Sequence, residues 1–385
     1  MEPERPAAQD TAGQGTTAGQ GTTAVPGFGR WAGSGKPPPR IVAVDDALTA
    51  QDAYRHATSG TALLWRGDYH NARQLLSALG RRIPAPAASG AGHGADVAAD
   101  FYRHRQARAH RSRILACLLV PLVPGPAVDL RRAPDIATAW RHAHGEVSEP
   151  SVVPLQDLLG VLGAEQWRLR GVFVPALGAT IHPHYGTFAP VRAEYLDLVA
   201  EAPLPETGTA FDLGTGTGVL AAILARRGIT RAVATDLSDR AIACAAENLG
   251  RLGLAGVVDL QVADLFPAGR AGVIVCNPPW LPGSATTLLD QAVYDPKSRM
   301  LRGFLTGLAD HLEPGAEGWL VISDLAEHLG LRSRAELLGW IEAAGLVVVD
   351  RLDTRPTHRR SADTDDPFHT ARSAEVTSLW RLGAA

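Results

Sequence analysis

The chain has 385 residues, 45% of them hydrophobic and 20% charged, enough for two domains that each bury a core, so a fibrous or largely disordered protein is excluded. Thirty-seven Lys and Arg against forty Asp and Glu leave a formal charge of −3, so no global field draws the protein to nucleic acid or to an anionic membrane. The three cysteines, Cys117, Cys244 and Cys276, form no CxxC and no paired framework, which fits a reducing cytosol.

Residues 1–39 are rich in Gly, Thr, Ala, Gln and Pro, with AGQGTT repeated in tandem from Ala12 and Ala18, and read as a disordered tail. No apolar targeting stretch follows Met1, so a cytoplasmic protein is expected. From about Val42 the apolar residues Leu48, Ala53, Leu63, Leu64, Ala72, Leu75, Leu76 and Leu79 recur at helical spacings, predicting short packed helices in an N-terminal substrate-recognition domain over residues 40–165. Residues 84–95 read as a loop, and Phe101 to Arg113 as a helix carrying Arg103, Arg105, Arg108, Arg111 and Arg113. That basic run suits either phosphate contact or a solvated helix face, and the near-zero net charge favours the second. The greasy stretch from Ile114 to Val123, broken by Pro121, is about half the length needed to span a bilayer and reads as a buried strand around Leu115 to Leu122. Val152 to Leu162 is predicted to be a short helix or turn, and residues 166–190 a hairpin with a connecting loop.

From residue 191 to the end, short apolar runs alternate with helical segments. The pattern predicts a doubly wound, mainly parallel α/β sheet with the smaller domain before it. The run Phe211-Asp212-Leu213-Gly214-Thr215-Gly216-Thr217-Gly218 is a strand ending in a glycine-rich turn that opens a helix. In such sheets ligands sit at the carboxyl ends of strands. The spacing is GxGxG, with Val219 where a dinucleotide fingerprint needs its last glycine, and Asp212 precedes the first glycine by two positions. Further acids, Asp236 and Asp264, follow the next two predicted strands, and Asn277-Pro278-Pro279-Trp280 follows the strand Val273–Cys276. Two prolines end a strand efficiently. An amide oxygen and a free carbonyl beside an aromatic ring also suit an NH2 group on a planar acceptor.

These motifs resemble those of class I S-adenosylmethionine-dependent methyltransferases. NPPW resembles the (N/D)PP(Y/F/W) signature of the enzymes that methylate a nitrogen attached to a planar group. Residues 167–190 and Tyr294-Asp295-Pro296 extend the likeness to release-factor glutamine methyltransferases and the related small-domain RNA methyltransferases, although Trp280 replaces the Tyr typical of the glutamine enzymes. The resemblance implies a seven-stranded Rossmann-like sheet with S-adenosyl-L-methionine as cofactor. It implies cofactor contacts from Asp212, Gly214, Thr215, Gly216, Gly218, Asp236, Leu237, Asp264, Leu265 and Asn277, with Phe266 as an alternative to Leu265 for the adenine ring. Asn277, Pro278, Pro279 and Trp280 would be catalytic, and Trp280 with His184, Tyr185 and Phe188 would line the acceptor mouth, a simple packing role being the alternative for the last three. The expected acceptor is a protein glutamine or an RNA base; a small-molecule N-methyltransferase and a non-catalytic cofactor-binding module are the alternatives. No metal is expected: the pairs His142/His144 and His182/His184 have no cysteine or carboxylate pattern to complete a shell. A serine hydrolase is disfavoured because no GxSxG occurs.

Overall fold

The structure, a computed structural model, describes residues 24–25, 28–84, 96–192, 194–285, 287–356 and 363–385. Its first sheet holds β1 (Ala24–Val25), β2 (Gly29–Trp31), β3 (Arg40–Val44), β4 (Thr61–Trp65), β5 (Leu118–Val123), β6 (Ala127–Val128) and β7 (Ser151–Pro154). The order is β1-β2-β7-β5-β4-β3, with β6 paired to β5, and β3, β4 and β5 run parallel. The helical reading of this region holds for Ala53, in the helix Ala50–Thr58, and for Ala72, Leu75, Leu76 and Leu79, in the helix Tyr69–Arg82, and needs correcting at Leu63 and Leu64. Leu63 and Leu64 belong to β4, all five residues of which are buried. A strand covered on both faces reads as a continuous apolar run, so periodicity cannot separate it from a buried helix.

Two further boundaries move. Much of the expected tail lies outside the described residues, but β2 falls within residues 1–39 and pairs parallel with β7 through Arg30–Ser151 and Trp31–Val152. Trp31 and Phe28 pack there against a cluster of Ala62, Leu64, Leu119 and Val152. The short helix or turn expected at Val152–Leu162 is β7 followed by a helix, Leu155–Arg170, longer than expected, that buries Leu155, Leu158 and Val161. The predicted basic helix is present as Val97–Leu115, started by Asp96, whose side chain accepts from Ala99 N–H. The expected hairpin is β8 (Val172–Val174) with β9 (Ala179–Ile181), closed by Gly178 at φ 59°.

The second sheet contains β10 (Thr209–Leu213), β11 (Arg231–Asp236), β12 (Val258–Val262) and β13 (Ala271–Cys276). A short parallel pair, β14 (Leu281–Pro282) and β15 (Tyr294–Asp295), stands outside it. Then follow β16 (Leu312–Ser323), β17 (Leu346–Thr354) and β18 (Thr377–Ala384). The order is β12-β11-β10-β13-β16-β18-β17, parallel except for β18, which is antiparallel to both neighbours. This is the mainly parallel seven-stranded sheet expected. Alternation along the strands divides the core in two: Ala210, Val273 and Val275 face the helix Val219–Arg226, whereas Phe211, Ile274 and Cys276 face the helix Arg299–His311.

The chain leaves β10 toward β11 and β12 on one side and returns to β13 on the other, so the crevice at the carboxyl end of β10 is the switch point of the sheet. There Leu213 is in register with Cys276 and with Thr235, and Asp236 with Val262. The glycine loop, the β11 acid, the β12 turn and Asn277 consequently emerge side by side.

Candidate active site

The glycine loop is held by the neighbouring strand end: Gly214 and Thr215 both donate their N–H to the Thr235 carbonyl, at 2.9 and 2.8 Å. Gly214, Gly216 and Gly218 have φ of 72°, 56° and 80°, a region that glycine adopts without steric cost. A Cβ on Gly214 would lie 2.4 Å from Met300 Cε, whereas one on Gly216 would meet nothing within 4 Å. The space over Gly216 is thus open. Beneath it, Asp212 is 1% exposed, and its Oδ2 accepts from Thr215 Oγ1 (2.6 Å) and from Ala221 N–H (3.0 Å), tying the strand to the following helix. Its Oδ1 is buried with no hydrogen-bond partner. Burial pushes the carboxyl up to about 6; the Thr215 and Ala221 bonds oppose that shift and the nearby Asp236 adds to it.

Asp236 closes the other side. Its Oδ2 accepts from Gly216 N–H (3.0 Å) and its Oδ1 from Ser238 N–H (2.9 Å), which leaves further lone pairs on both oxygens. The next residue, Leu237, is 61% exposed, an apolar side chain presented at a polar strand end. Asp264 is paired with Arg299 at the surface. Leu265 has φ 69°, and its carbonyl accepts from Thr235 Oγ1 at 2.5 Å. Phe266 is committed elsewhere, stacked on His311 at 4.3 Å and on Phe304 at 6.3 Å, so of the two candidates for the adenine ring it is the one the fold has already used.

At the end of β13, Asn277 Oδ1 accepts from Trp280 Nε1 at 2.8 Å, and the Trp280 ring packs against both cores of the sheet. The chain beyond is fixed by the β14–β15 pair and by Asp295. The buried Asp295 carboxylate accepts from Met300 and Leu301 N–H and caps the helix Arg299–His311. The Val97–Leu115 helix packs on this segment. Its Phe101 sits in a cluster with Leu281 and Phe368, and Arg105 lies 3.5 Å over the Tyr294 ring and donates to the Ser284 carbonyl at 2.6 Å. Neither expectation for the basic run describes Arg105 or Arg111, which binds the Gly80 carbonyl.

His184 and Tyr185 both have protein partners. His184 Nε2 contacts Glu247 at 2.8 Å, and Glu247 also takes Arg168 at 2.6 Å. Burial is the main force on His184 and lowers its pKa against the pull of Glu247. Burial acts upward on Glu247, yet hydrogen bonds from Arg168 and His184 hold it down at about 2; its charge is paired with Arg168 on one oxygen and with Arg251 on the other, each at 2.6 Å. The Tyr185 ring meets His144 at 5.1 Å and packs on Ala139 and Ala143. Phe188 is half-buried. The remaining histidines of the HxH pairs also have protein partners: His142 contacts Glu165 and His182 the Arg168 carbonyl.

Two site residues escape a sequence reading. Thr235 is fully buried and joins the glycine loop to the β12 turn. Asn248, in the helix Asp239–Arg251, clamps the loop through the Thr217 carbonyl (3.1 Å) while its Oδ1 accepts from His182 N–H (2.8 Å). Their partners lie far away in sequence; a buried polar residue inside an apolar helix face was the one available signal for Asn248.

This arrangement fits S-adenosylmethionine. The unpartnered Asp212 Oδ1 suits an ammonium or a bridging donor, the open space at Gly216 admits close approach, and Asp236 and Leu237 offer acceptors and an apolar surface. The family model described as the methyltransferase small domain matches residues 195–334. The chain is 33% identical over 175 residues to the release factor glutamine methyltransferase of Cereibacter sphaeroides, covering 42% of this chain and 60% of that protein. It is 31% identical over 244 residues to the ribosomal protein L11 methyltransferase of Pelotomaculum thermopropionicum, covering 62% of this chain and 69% of that one. With loop, acids and NPPW converging on one crevice, the chain belongs to the S-adenosylmethionine-dependent methyltransferases.

Proposed function

We propose that this protein transfers a methyl group to a planar nitrogen of a protein, a side-chain amide such as that of glutamine. The observation that carries the reading is the register of Leu213 with Cys276, which sets the Asn-Pro-Pro-Trp turn beside the glycine loop. The names of the relatives, a release factor glutamine methyltransferase and a ribosomal protein methyltransferase, favour a protein acceptor. S-adenosylmethionine supplies an electrophilic methyl group at this crevice.

An amide nitrogen is a poor nucleophile because its lone pair is delocalised into the carbonyl. Asn277 Oδ1, with one lone pair on Trp280, keeps another for one acceptor N–H, and the Pro278 carbonyl takes the second. Holding both protons turns the nitrogen so that its lone pair leaves conjugation and faces the methyl group, while the Trp280 ring supports the flat group. Preorganised acceptors also stabilise the positive charge that grows on nitrogen as the N–C bond forms and the C–S bond breaks; the methylated nitrogen then gives up one of its two held protons to solvent, leaving the neutral amide and S-adenosylhomocysteine. Cys276 plays no chemical part: burial above all, with Asp212 and Asp295 nearby, pushes its thiol well above its ordinary pKa. The N-terminal sheet and its helices form the acceptor-recognition part, a reading supported by the Val97–Leu115 helix reaching the segment that follows NPPW.

The test is to incubate the protein with tritiated S-adenosylmethionine and a cell extract divided into protein, RNA and small-molecule fractions. Label is expected in the protein fraction and is expected to vanish with Asn277→Ala, while affinity for S-adenosylhomocysteine stays within a few fold. Label confined to RNA or to small molecules would replace the acceptor class, and normal transfer by Asn277→Ala would overturn the role of the turn.

A further inference from the structure

Trp280 is held from outside the NPPW turn. The Arg192 guanidinium lies 5.3 Å from the Trp280 ring centroid, and its Nη1 donates to Glu375 Oε1 at 2.9 Å. Glu375 is fully buried, and the same oxygen accepts from Ser323 Oγ at 2.6 Å. Ser323 ends β16 and Glu375 stands just before β18, and these two strands pair from Ser323–Thr377 onward in the interior of the sheet. The Asp324 side chain accepts from Val376 N–H at 2.7 Å, locking the residue after Glu375. A rigid part of the sheet thus reaches the acceptor turn through one carboxylate and one guanidinium.

The far end of this relay is the Asn277 amide. An amide can be turned over with little change in shape, exchanging its acceptor for its donor, and only one orientation offers oxygen to an acceptor N–H. An indole N–H is a donor only, so the 2.8 Å bond from Trp280 Nε1 selects the orientation with Oδ1 toward the ring. A phenyl or phenol ring at residue 280 has no donor at that place.

We infer that Arg192 and Glu375 are positioning residues, which hold Trp280 so that its indole N–H fixes the Asn277 amide with its oxygen available to the acceptor. This inference rests on the N-methyltransferase reading of the turn. Glu194, also buried and close to Arg192, shares the same charge environment, but Glu375 is the carboxylate bonded to the guanidinium. A fully buried carboxylate bonded to a mostly buried arginine is a stiff support, because Glu375 has no solvent to exchange with and Arg192 little.

The test reads the geometry without needing the acceptor. The chain has eight tryptophans, and the indole N–H resonance of Trp280 in the full-length protein is the one lost in Trp280→Phe. In Asn277→Ala that resonance should move upfield as its hydrogen bond disappears. In Arg192→Leu and Glu375→Gln it should shift or broaden while the other seven indole signals hold, and Arg192→Lys, which keeps the charge but not the flat stacking, should restore only part. If Glu375→Gln unfolds the chain and moves every signal, the two Arg192 variants decide. A Trp280 resonance unmoved in the Arg192 variants would overturn the inference. In the transfer assay with the labelled fraction, Arg192→Leu should lower kcat about 10- to 100-fold with KM for S-adenosylmethionine little changed, the pattern of misplaced reacting groups. Failure of the N-methyltransferase reading would appear separately, as transfer that survives Asn277→Ala.

Discussion

Burial holds the Asp212 carboxyl at about 6, against an ordinary value of 3.8, because the charged form loses water and finds Asp236 nearby. The folded protein therefore binds the proton more tightly than the unfolded chain does. The stabilisation is fully present below about pH 4 and is lost as pH rises through about 6, a change of about 3 kcal/mol. Asp212→Asn removes that dependence while its amide oxygen still accepts from Thr215 and Ala221. Urea unfolding of both proteins at about pH 4 and about pH 7 should show the variant gaining about 3 kcal/mol relative to the parent across the interval; parallel pH dependence would mean that Asp212 is ionised throughout. Asp212, the glycines, Asp236 and Asn277 were all legible in the sequence, since each motif is contiguous and lies at a strand end. Thr235, Asn248, Arg192 and Glu375 were not, because each acts on residues brought to it only by the folded sheet.

Legibility at the scale of elements follows burial. In the methyltransferase sheet, apolar strands alternate with amphipathic helices and every predicted strand is present. In the N-terminal sheet, β4 is buried on both faces and its Leu63 and Leu64 read equally as helix. The Val97–Leu115 helix was correct as an element, but what its arginines do could not be read from a one-dimensional run. Arg103 pairs with Asp100, Arg111 caps the Gly80 carbonyl, and Arg105 is spent on Tyr294 and Ser284. Arg105→Ala removes a cation–π contact and a charge-assisted hydrogen bond from the segment that carries β14 and β15, a loss of about 2 kcal/mol. Amide hydrogen exchange should quicken around Leu281 and Tyr294 and stay unchanged in the glycine loop. Equal protection in both proteins would show that Phe101 alone docks the helix.

Across the whole molecule, the terminal strand and the glycine loop are linked by a continuous set of contacts. β2 lies along β7, and Ser34 binds Asp157 at the start of the Leu155–Arg170 helix through both its N–H (2.8 Å) and its hydroxyl (2.6 Å). At the other end of that helix Arg168 binds Glu247 on the Asp239–Arg251 helix, whose Asn248 holds the Thr217 carbonyl of the loop. Deleting residues 1–39 strips β2 from β7, uncovers a strand edge and removes Trp31 from its cluster. The loss should be about 2 kcal/mol or more, a fall of several degrees in Tm. Because the support for Arg168 is loosened as well, S-adenosylhomocysteine affinity measured by calorimetry should fall with it. Deleting residues 1–23, which takes away none of these contacts, is the control and should leave both values unchanged. A 1–39 deletion with an unaltered Tm would mean that β7 needs no neighbour on that side; a lowered Tm with unaltered affinity would mean that the Arg168–Glu247 bond isolates the cofactor crevice from the first sheet.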